Sequence, residues 1–583
     1  MSRKRHWLIL LALLVLSATV QVVIIRGAMV PAQDAVRFAA AAQSYGRDGF
    51  WESVAAEPEP PLFPLLARGT SILLDAGRAL FFDNSPSAIS WATKLQVAAA
   101  IPLVLCVVPV YLLALRWLGG RAALATAILF AVLKEPARLG ADGISDSTHL
   151  LLAAIALWAL SMFLIACPRP RQFAKVLSNN QWLAVCGTMI GLALLVRPES
   201  LLLLAVLIVL LPIIALHRSP VRRLWEAGGQ TACLLGGLAV ILLPYACLVG
   251  FESTGDFARR MAGRVPPRDG LTLNDASGVV ADSTRIAADS MRFQSPAAET
   301  PPNVPTLPDG TRMRFVLKET TRRTRFHGIL PAAAEYAGEL SAVFQYWLAP
   351  FSLLAVWRAR RAWRRPMNLF ASTSFLLFSL AVVLYASRVG YLSGRHLLIL
   401  LLLGLPWAGR GVLDASRLLR FWWLRTVQRF LTTAAGPSHF VFPVGLAMAA
   451  VICLASTLKP LHASRLGHRR AAEWLIHSDH GAGAVLDSRG WTGLYTDRHT
   501  YLCDAGWQAV ADPQLAYIVV ESWELELPSR RSRTLRQLVQ TRARLVATFA
   551  DPQNPGAAEV SVYRLDSPAI ARRTGDRVGS DTR

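Results

Sequence analysis

Ionisable side chains are almost missing from the interior of the long apolar runs in this chain. That absence argues against a proton- or ion-coupled pathway, which needs charges or broken helices near mid-membrane. Cysteine is scarce too. Of the seven in 583 residues, Cys106, Cys186, Cys233, Cys247 and Cys453 fall within apolar runs, Cys167 at the end of one, and Cys503 stands alone in the tail, so no disulfide framework is available. Acidic residues are few, 38 against 61 basic ones, for a formal net charge of +23. Much of the excess sits in short loops between apolar runs, where membrane topology accounts for it, and nucleic acid is not an expected partner. No internal repeat is visible either, which further disfavours a repeat-built transporter.

What the chain has instead is apolar length. With 53% hydrophobic and 17% charged residues it is no soluble globular domain. Windows of about 20 apolar residues predict an α-helical polytopic membrane protein with about eleven spans. These lie near 7–25, 88–115, 121–133, 148–166, 181–196, 200–216, 231–250, 337–356, 368–386, 396–412 and 439–458. The run after "SRKRH" is longer than a signal-peptide core and lacks a small-x-small cleavage site, so it reads as an anchor. Every second loop is basic: "RWLGGR", "PRPRQFAK", "HRSPVRR", "RARRAWRR" and "RLLRFWWLRTVQR" (417–429). Lys and Arg mark cytoplasmic loops. The expected protein is therefore integral to the cell (inner) membrane, with a cytoplasmic N-terminus and an extracytoplasmic, periplasmic C-terminus.

Three longer segments, 26–87, 251–336 and 460–583, then fall on the same exterior face. In the second, "FQSPAAETPPNVPTLPDG" (293–310) is too polar and Pro-rich to pack. "RMRFVLKETTRRTRF" (312–326) reads as an amphipathic helix on anionic lipid in preference to a phosphate site. The transmembrane domain is expected to occupy 1–459. From Pro460 the pattern changes to short alternating segments: a helix and the strand "AVLDS", the strand "AYIVVES", a helix running into a strand, and the strand "AEVSVYRL". This predicts a small exterior α/β domain over 460–568 and a disordered tail over 569–583. "DSRGW" and "TDRH" in it read as turn chemistry before catalytic chemistry.

Charged residues collect at the exterior ends of the spans: Asp34, Glu59, Lys134, Glu135, Arg138, Asp142, Asp146, Arg197, Glu199, Arg388 and Arg395. Such a distribution indicates a site at the membrane surface. Asp34 opens the helical stretch "DAVRFAAAAQSYG", where an N-cap and a catalytic carboxylate are equally consistent with its position. Asp142 and Asp146 share a helical face at four-residue spacing, and "SDSTHLLL" favours Asp146 as the cap of the following span. In "LVRPESLL", Pro198 breaks the helix and leaves Arg197 and Glu199 as a local ion pair in a turn. Arg395 in "SGRHLL" either snorkels to the interface or captures a lipid phosphate.

Taken in order, these residues resemble the GT-C superfamily of integral-membrane glycosyltransferases, in particular the bacterial relatives of protein O-mannosyltransferases and of the aminoarabinose transferase acting on lipid A. The resemblance rests on Asp34 after the first span, "AVRFAAAAQSYGRDG", "PPLFP" at Pro60 to Pro64, "RLGADGISDSTHLLLAAIALWAL", "RPESLLLL" and "GRHLLILLLLGLP". It implies inverting transfer of a sugar from a polyprenyl-phosphate carrier to an acceptor hydroxyl of a lipid, glycan or protein on the exterior face. Asp34 is then the general base. Arg395, Arg197 and Arg138 hold the donor phosphate, with Asp142, Asp146, Glu59 and Glu199 behind them or at the acceptor. Some relatives bind a divalent cation at this surface; here Asp34 with Glu57 or Glu59 would supply the hard oxygen ligands. The chain departs from the family at Ala35, where many relatives carry Glu, and at Glu59, where His or Lys is common before Pro-Pro. Two rival functions are a transporter or flippase for a lipid-linked sugar and a non-catalytic assembly protein of the same fold.

Overall fold

Over their described residues, the apolar runs expected to span coincide with helices, except at 337–356, in the computed structural model, which describes residues 3–47, 50–56, 59–81, 89–165, 179–216, 222–249, 328–363, 365–427, 441–478, 483–496, 498–502, 509, 512–527, 530–550 and 559–565. The chain begins with α1 (Arg3–Gly27), α2 (Asp34–Arg47), α3 (Phe50–Ala56) and α4 (Leu62–Phe81). The run continues through α5 (Trp91–Leu118), α6 (Gly120–Val132), α7 (Lys134–Asp142), α8 (Asp146–Leu164), α9 (Asn179–Leu194), α10 (Ser200–Leu216) and α11 (Arg222–Val249). After the stretch over 250–327, which lies outside the described residues together with its two expected segments, come α12 (Ile329–Val343), α13 (Leu348–Arg358), α14 (Pro366–Val389), α15 (Leu398–Val427) and α16 (Val441–Thr457).

Among the described residues six helices, α1, α5, α8, α11, α14 and α15, are long and apolar enough to cross a bilayer, and α6, α9, α10 and α16 are shorter apolar helices. The protein is an integral membrane protein. Burial ranks the long helices. The most apolar stretch of α15 is 89% buried within the protein, whereas that of α11 is 17% buried, so α15 is an inner helix and α11 lies at the rim. Small residues permit the close approaches, because without a hydrophobic drive between helices packing depends on backbone proximity. Gly187 of α9 and Gly237 of α11 show this: a Cβ at either would collide with the backbone of Leu234 or Ala184 on the opposite helix.

Two expectations fail. The span expected at 337–356 is not one helix; α12 and the segment from Leu348 meet at 96°. Gln345 and Tyr346 both adopt left-handed backbone, at φ 49° and 57°. Pro350 then falls in the first turn of α13, where its missing N–H costs nothing. Apolar composition concealed the break. The basic stretch 417–429, expected as a loop, is helical to Val427. Buried Asp414 anchors that extension by pairing with Arg410 one turn back (3.1 Å) and Arg417 ahead (3.2 Å).

Beyond α16 the polypeptide forms α17 (Leu466–Ser478), β1 (Ala484–Asp487), α18 (Thr492–Tyr495), β2 (Thr500–Leu502), β3 (Leu515–Glu521), α19 (Ser522–Glu526), α20 (Arg530–Arg542), β4 (Ala543–Phe549) and β5 (Val560–Leu565). The sheet order is β2-β1-β3-β5-β4, with β1 parallel to both neighbours and the other pairs antiparallel. Side chains alternate across it with the two-residue period of a strand. Leu486, Ile518 and Val520 pack with Leu535 and Leu538 of α20; Val485, Tyr517 and Val519 pack with Ala471 and Leu475 of α17. β2 was not expected from the sequence, being only three residues long. Residues 566–583, including the expected tail, are outside the described set.

Candidate functional site

The loop that delivers Asp34 is fixed from three sides. Its Ala32 N–H donates to the carbonyl of Asp142 at the end of α7 (2.9 Å), and Met29 N–H donates to Leu461 O beyond α16 (3.2 Å). From the sheet side, the Trp491 indole N–H donates to Pro31 O (3.1 Å) and the Tyr495 hydroxyl to Met29 O (3.1 Å). Asp34 then opens α2, where the helix dipole favours a carboxylate. Its Oδ2 accepts a 2.6 Å hydrogen bond from Nη1 of Arg395, 361 residues away. Arg395 lies in a 3-10 turn, Gly394–Leu397, held by a capping box between Ser393 and His396. The turn approaches α7 so closely that a Cβ at Gly394 would stand 2.9 Å from Oε2 of Glu135.

"PPLFP" brings Glu59 to the same place. Leu62 N–H donates to Leu195 O (3.1 Å), tying the start of α4 to the turn after α9. Fully buried Phe63 meets Phe38 edge-on at 5.0 Å, so α4 packs against α2. Glu59 consequently faces Arg37 at 3.9 Å. Burial pushes the Glu59 carboxyl above its usual range; Arg37 opposes that shift, nearby Asp34 adds to it and Arg197 opposes it.

Arg197 joins two carboxylates. It pairs with buried Asp146 at the start of α8 and chelates Glu199 through Nε (3.2 Å) and Nη2 (2.8 Å). Burial would raise the Glu199 pKa, but the charge and hydrogen bonds of Arg197 outweigh it and hold the carboxyl at about 2. The expected capping role of Asp146 is corrected here. Ser145 occupies the cap position without a side-chain cap bond, and the Asp146 carboxylate is spent on Arg197. The local pair expected between Arg197 and Glu199 is present and larger than expected. Asp142, also buried, takes Arg138 at 3.4 Å and His462 at 2.8 Å, while Arg138 reaches Glu135 at 3.3 Å.

Asp34, Glu59, Arg138, Asp142, Asp146, Arg197, Glu199 and Arg395 are thus gathered at one end of the bundle. His396 lies within electrostatic reach of Arg197, Glu199 and Arg395, and Arg395 within reach of Asp142 and Tyr391, so these pairs are one constellation. Lys134 and Arg388 are exposed. The sequence reading missed Arg37, His396, His462 and Trp491. Arg37 was legible, one helical turn from Asp34, and His396 adjoins Arg395; His462 and Trp491 arrive from the far end of the chain with no local signal. Among the described residues no three His, Cys, Asp or Glu side chains converge to hold a metal. Asp34 spends Oδ2 on Arg395 and Glu59 faces Arg37, an arrangement that does not fit a cation; Glu57 lies outside the described residues.

Comparison with known proteins gives this arrangement a family context. Residues 90–245 match the model of the dolichyl-phosphate-mannose-protein mannosyltransferases. ArnT from Cupriavidus metallidurans in the apo state superposes with a TM-score of 0.56 at 14% identity, over 96% of this chain and 98% of that one. The chain shares its fold with this ArnT. The same ArnT bound to undecaprenyl phosphate gives a TM-score of 0.54 at 15% identity, over 96% and 98% of the two chains. An Archaeoglobus fulgidus oligosaccharyltransferase tethered to an acceptor peptide gives 0.50 at 12% identity, covering 94% of this chain and 73% of that one. No curated protein matches the sequence. The likeness to ArnT covers nearly the whole chain.

Proposed function

We propose that this protein is an inverting glycosyltransferase that moves a sugar from a polyprenyl-phosphate carrier to an acceptor hydroxyl on the exterior face of the membrane. The observation that carries the reading is the Asp34–Arg395 pair, which joins a carboxylate and a guanidinium from opposite ends of a GT-C fold. In the reaction the acceptor oxygen attacks the anomeric carbon, the bond from that carbon to the phosphate oxygen breaks, and the acceptor proton passes to a carboxylate. The leaving lipid phosphate needs cationic donors and no acid. Arg395 supplies them first. Its guanidinium is already oriented by Asp34, and an arriving phosphate takes the place of the carboxylate, which frees Asp34 to accept the proton. Arg197 and Arg138 stand behind it, each neutralised by buried carboxylates, and set the field of the site.

A second assignment of the base has its own support. Among the described residues Glu59 has no ion-pair partner closer than Arg37 at 3.9 Å, and burial raises its pKa, the direction a general base needs. Asp34→Asn and Glu59→Gln distinguish the two. With a labelled polyprenyl-phosphate sugar in proteoliposomes, loss of the base lowers the single-turnover rate by about 10²-fold or more. The first reading expects that loss at Asp34→Asn and a smaller one at Glu59→Gln; the reverse order moves the base to Glu59. Wild-type rates in both variants would remove the mechanism altogether.

A further inference from the structure

Far from Asp34 the bundle builds a basic cavity. α8 runs from Asp146 in the candidate site to Leu164, about 27 Å along its axis at the rise of an α-helix. At that far end a cavity of about 690 Å³ opens between the ends of α5, α8 and α13, the start of α14 and the middle of α15. Its size is that of a small-molecule pocket, roughly 300–1,000 Å³, and far exceeds what one inorganic phosphate fills.

Four arginines line it: Arg116, Arg358, Arg365 and Arg410. Among the described lining residues the one carboxylate, Asp414, is buried and already engaged by Arg410 and Arg417. Arg116 donates to Ile165 O, which holds its side chain over the end of α8. The wall between them is rigid: Trp117 Nε1 donates to Asn368 Oδ1 at 2.6 Å, Asn368 Nδ2 donates to Ala362 O at 2.8 Å, and Trp117 stacks edge-on with Trp407. The N-terminus of the 24-residue α14 also opens here with no side-chain cap, adding its positive dipole end. Loops at this end are basic by sequence, and topology alone explains scattered arginines. It does not explain why four converge on one walled cavity while neighbouring Arg361 stays outside it.

We infer that this cavity binds a phosphate-bearing headgroup, held by Arg116, Arg358 and Arg365 at the membrane surface opposite the candidate transfer site. Basic pockets between membrane helices take anionic lipid headgroups in this way, and each arginine near the surface strengthens the attraction about fivefold. A soluble diphosphate presents the same chemistry without the acyl chains. The inference is independent of the transfer reaction.

Binding is measured on full-length protein in phosphatidylcholine nanodiscs, titrated in one arm with short-chain phosphatidylglycerol and in the other with inorganic pyrophosphate. Arg358 and Arg365 are exposed, so replacing them should leave the fold intact. The expected result is saturable binding that weakens about fivefold in Arg358→Gln and about twenty-five-fold in the Arg358→Gln/Arg365→Gln double variant, with Arg361→Gln at the wild-type value. Lipid binding alone assigns the occupant to the bilayer, and binding in both arms assigns it to phosphate in general; either supports the site. Equal losses in Arg361→Gln and Arg358→Gln, or no saturable binding of either probe, would overturn it.

Discussion

Asp146 is 2% exposed, and Arg197 pairs with it there. Breaking a buried pair from one side leaves an uncompensated charge and costs about 3–5 kcal/mol. Arg197→Ala should therefore lower thermal stability in detergent sharply, and adding Asp146→Asn should recover much of the loss; additive effects in that cycle would mean the two groups do not interact. The Asp34–Arg395 pair belongs to another class. Asp34 is 46% exposed, and pairs of that exposure contribute only about 0.2–1 kcal/mol. A phosphate can displace such a carboxylate at little cost, and Asp34→Asn should fold normally while losing transfer. The constellation thus combines fixed charges, which are buried and paired, with one exchangeable contact at its mouth.

At the scale of elements, the turn "DSRGW" is the clearest link between sheet and bundle. Asp487 accepts from Arg489 N–H (2.8 Å) and from both the N–H (2.8 Å) and hydroxyl (2.7 Å) of Thr492. Gly490 turns at φ 79°, where a Cβ would stand 2.8 Å from Val36. Trp491, fully buried, then reaches the backbone of the Asp34 loop. Trp491→Ala should cost about 3–5 kcal/mol and raise amide exchange over 29–36; unchanged exchange there would show that the sheet does not support the loop. The sheet also carries its own acid sensitivity. Burial would raise Glu521, but hydrogen bonds from His468 and Arg489 outweigh it and hold the carboxyl at about 2. A depressed pKa stabilises the folded state above the unfolded value of 4.5, so stability of this sheet should fall as pH drops from 4.5 toward 2, and Glu521→Gln should flatten that dependence.

Sequence pattern carried the elements that depend on one local rule. Long apolar runs gave the helices, and alternation gave β1, β3 and β5. The bend at Gln345–Tyr346 escaped because apolar runs do not report backbone handedness, and the extension of α15 escaped because its basic residues resemble a loop until Asp414 is seen to anchor them. Turn chemistry in "DSRGW" was legible; its docking on Pro31 was not, since nothing local joins residues 460 apart. Candidate residues were recognisable as a set at the ends of runs, but which arginine meets which carboxylate is a product of packing.

Across the whole molecule, α5 and α8 connect two charged ends with an apolar interior between them. One end holds Asp34, Glu59, Arg197 and Arg395; the other gathers arginines around a cavity. Among the described residues the charged groups named above lie at these two ends, and the proposed reaction is placed at the one where Asp34 and Arg395 meet. The most direct test of that account is a cryo-EM structure of the full chain with bound polyprenyl phosphate. The account predicts the phosphate on the Arg395 guanidinium, with the Asp34 carboxylate released from it and facing the vacant acceptor side. A phosphate bound away from Arg395, with the Asp34–Arg395 pair still closed, would contradict it.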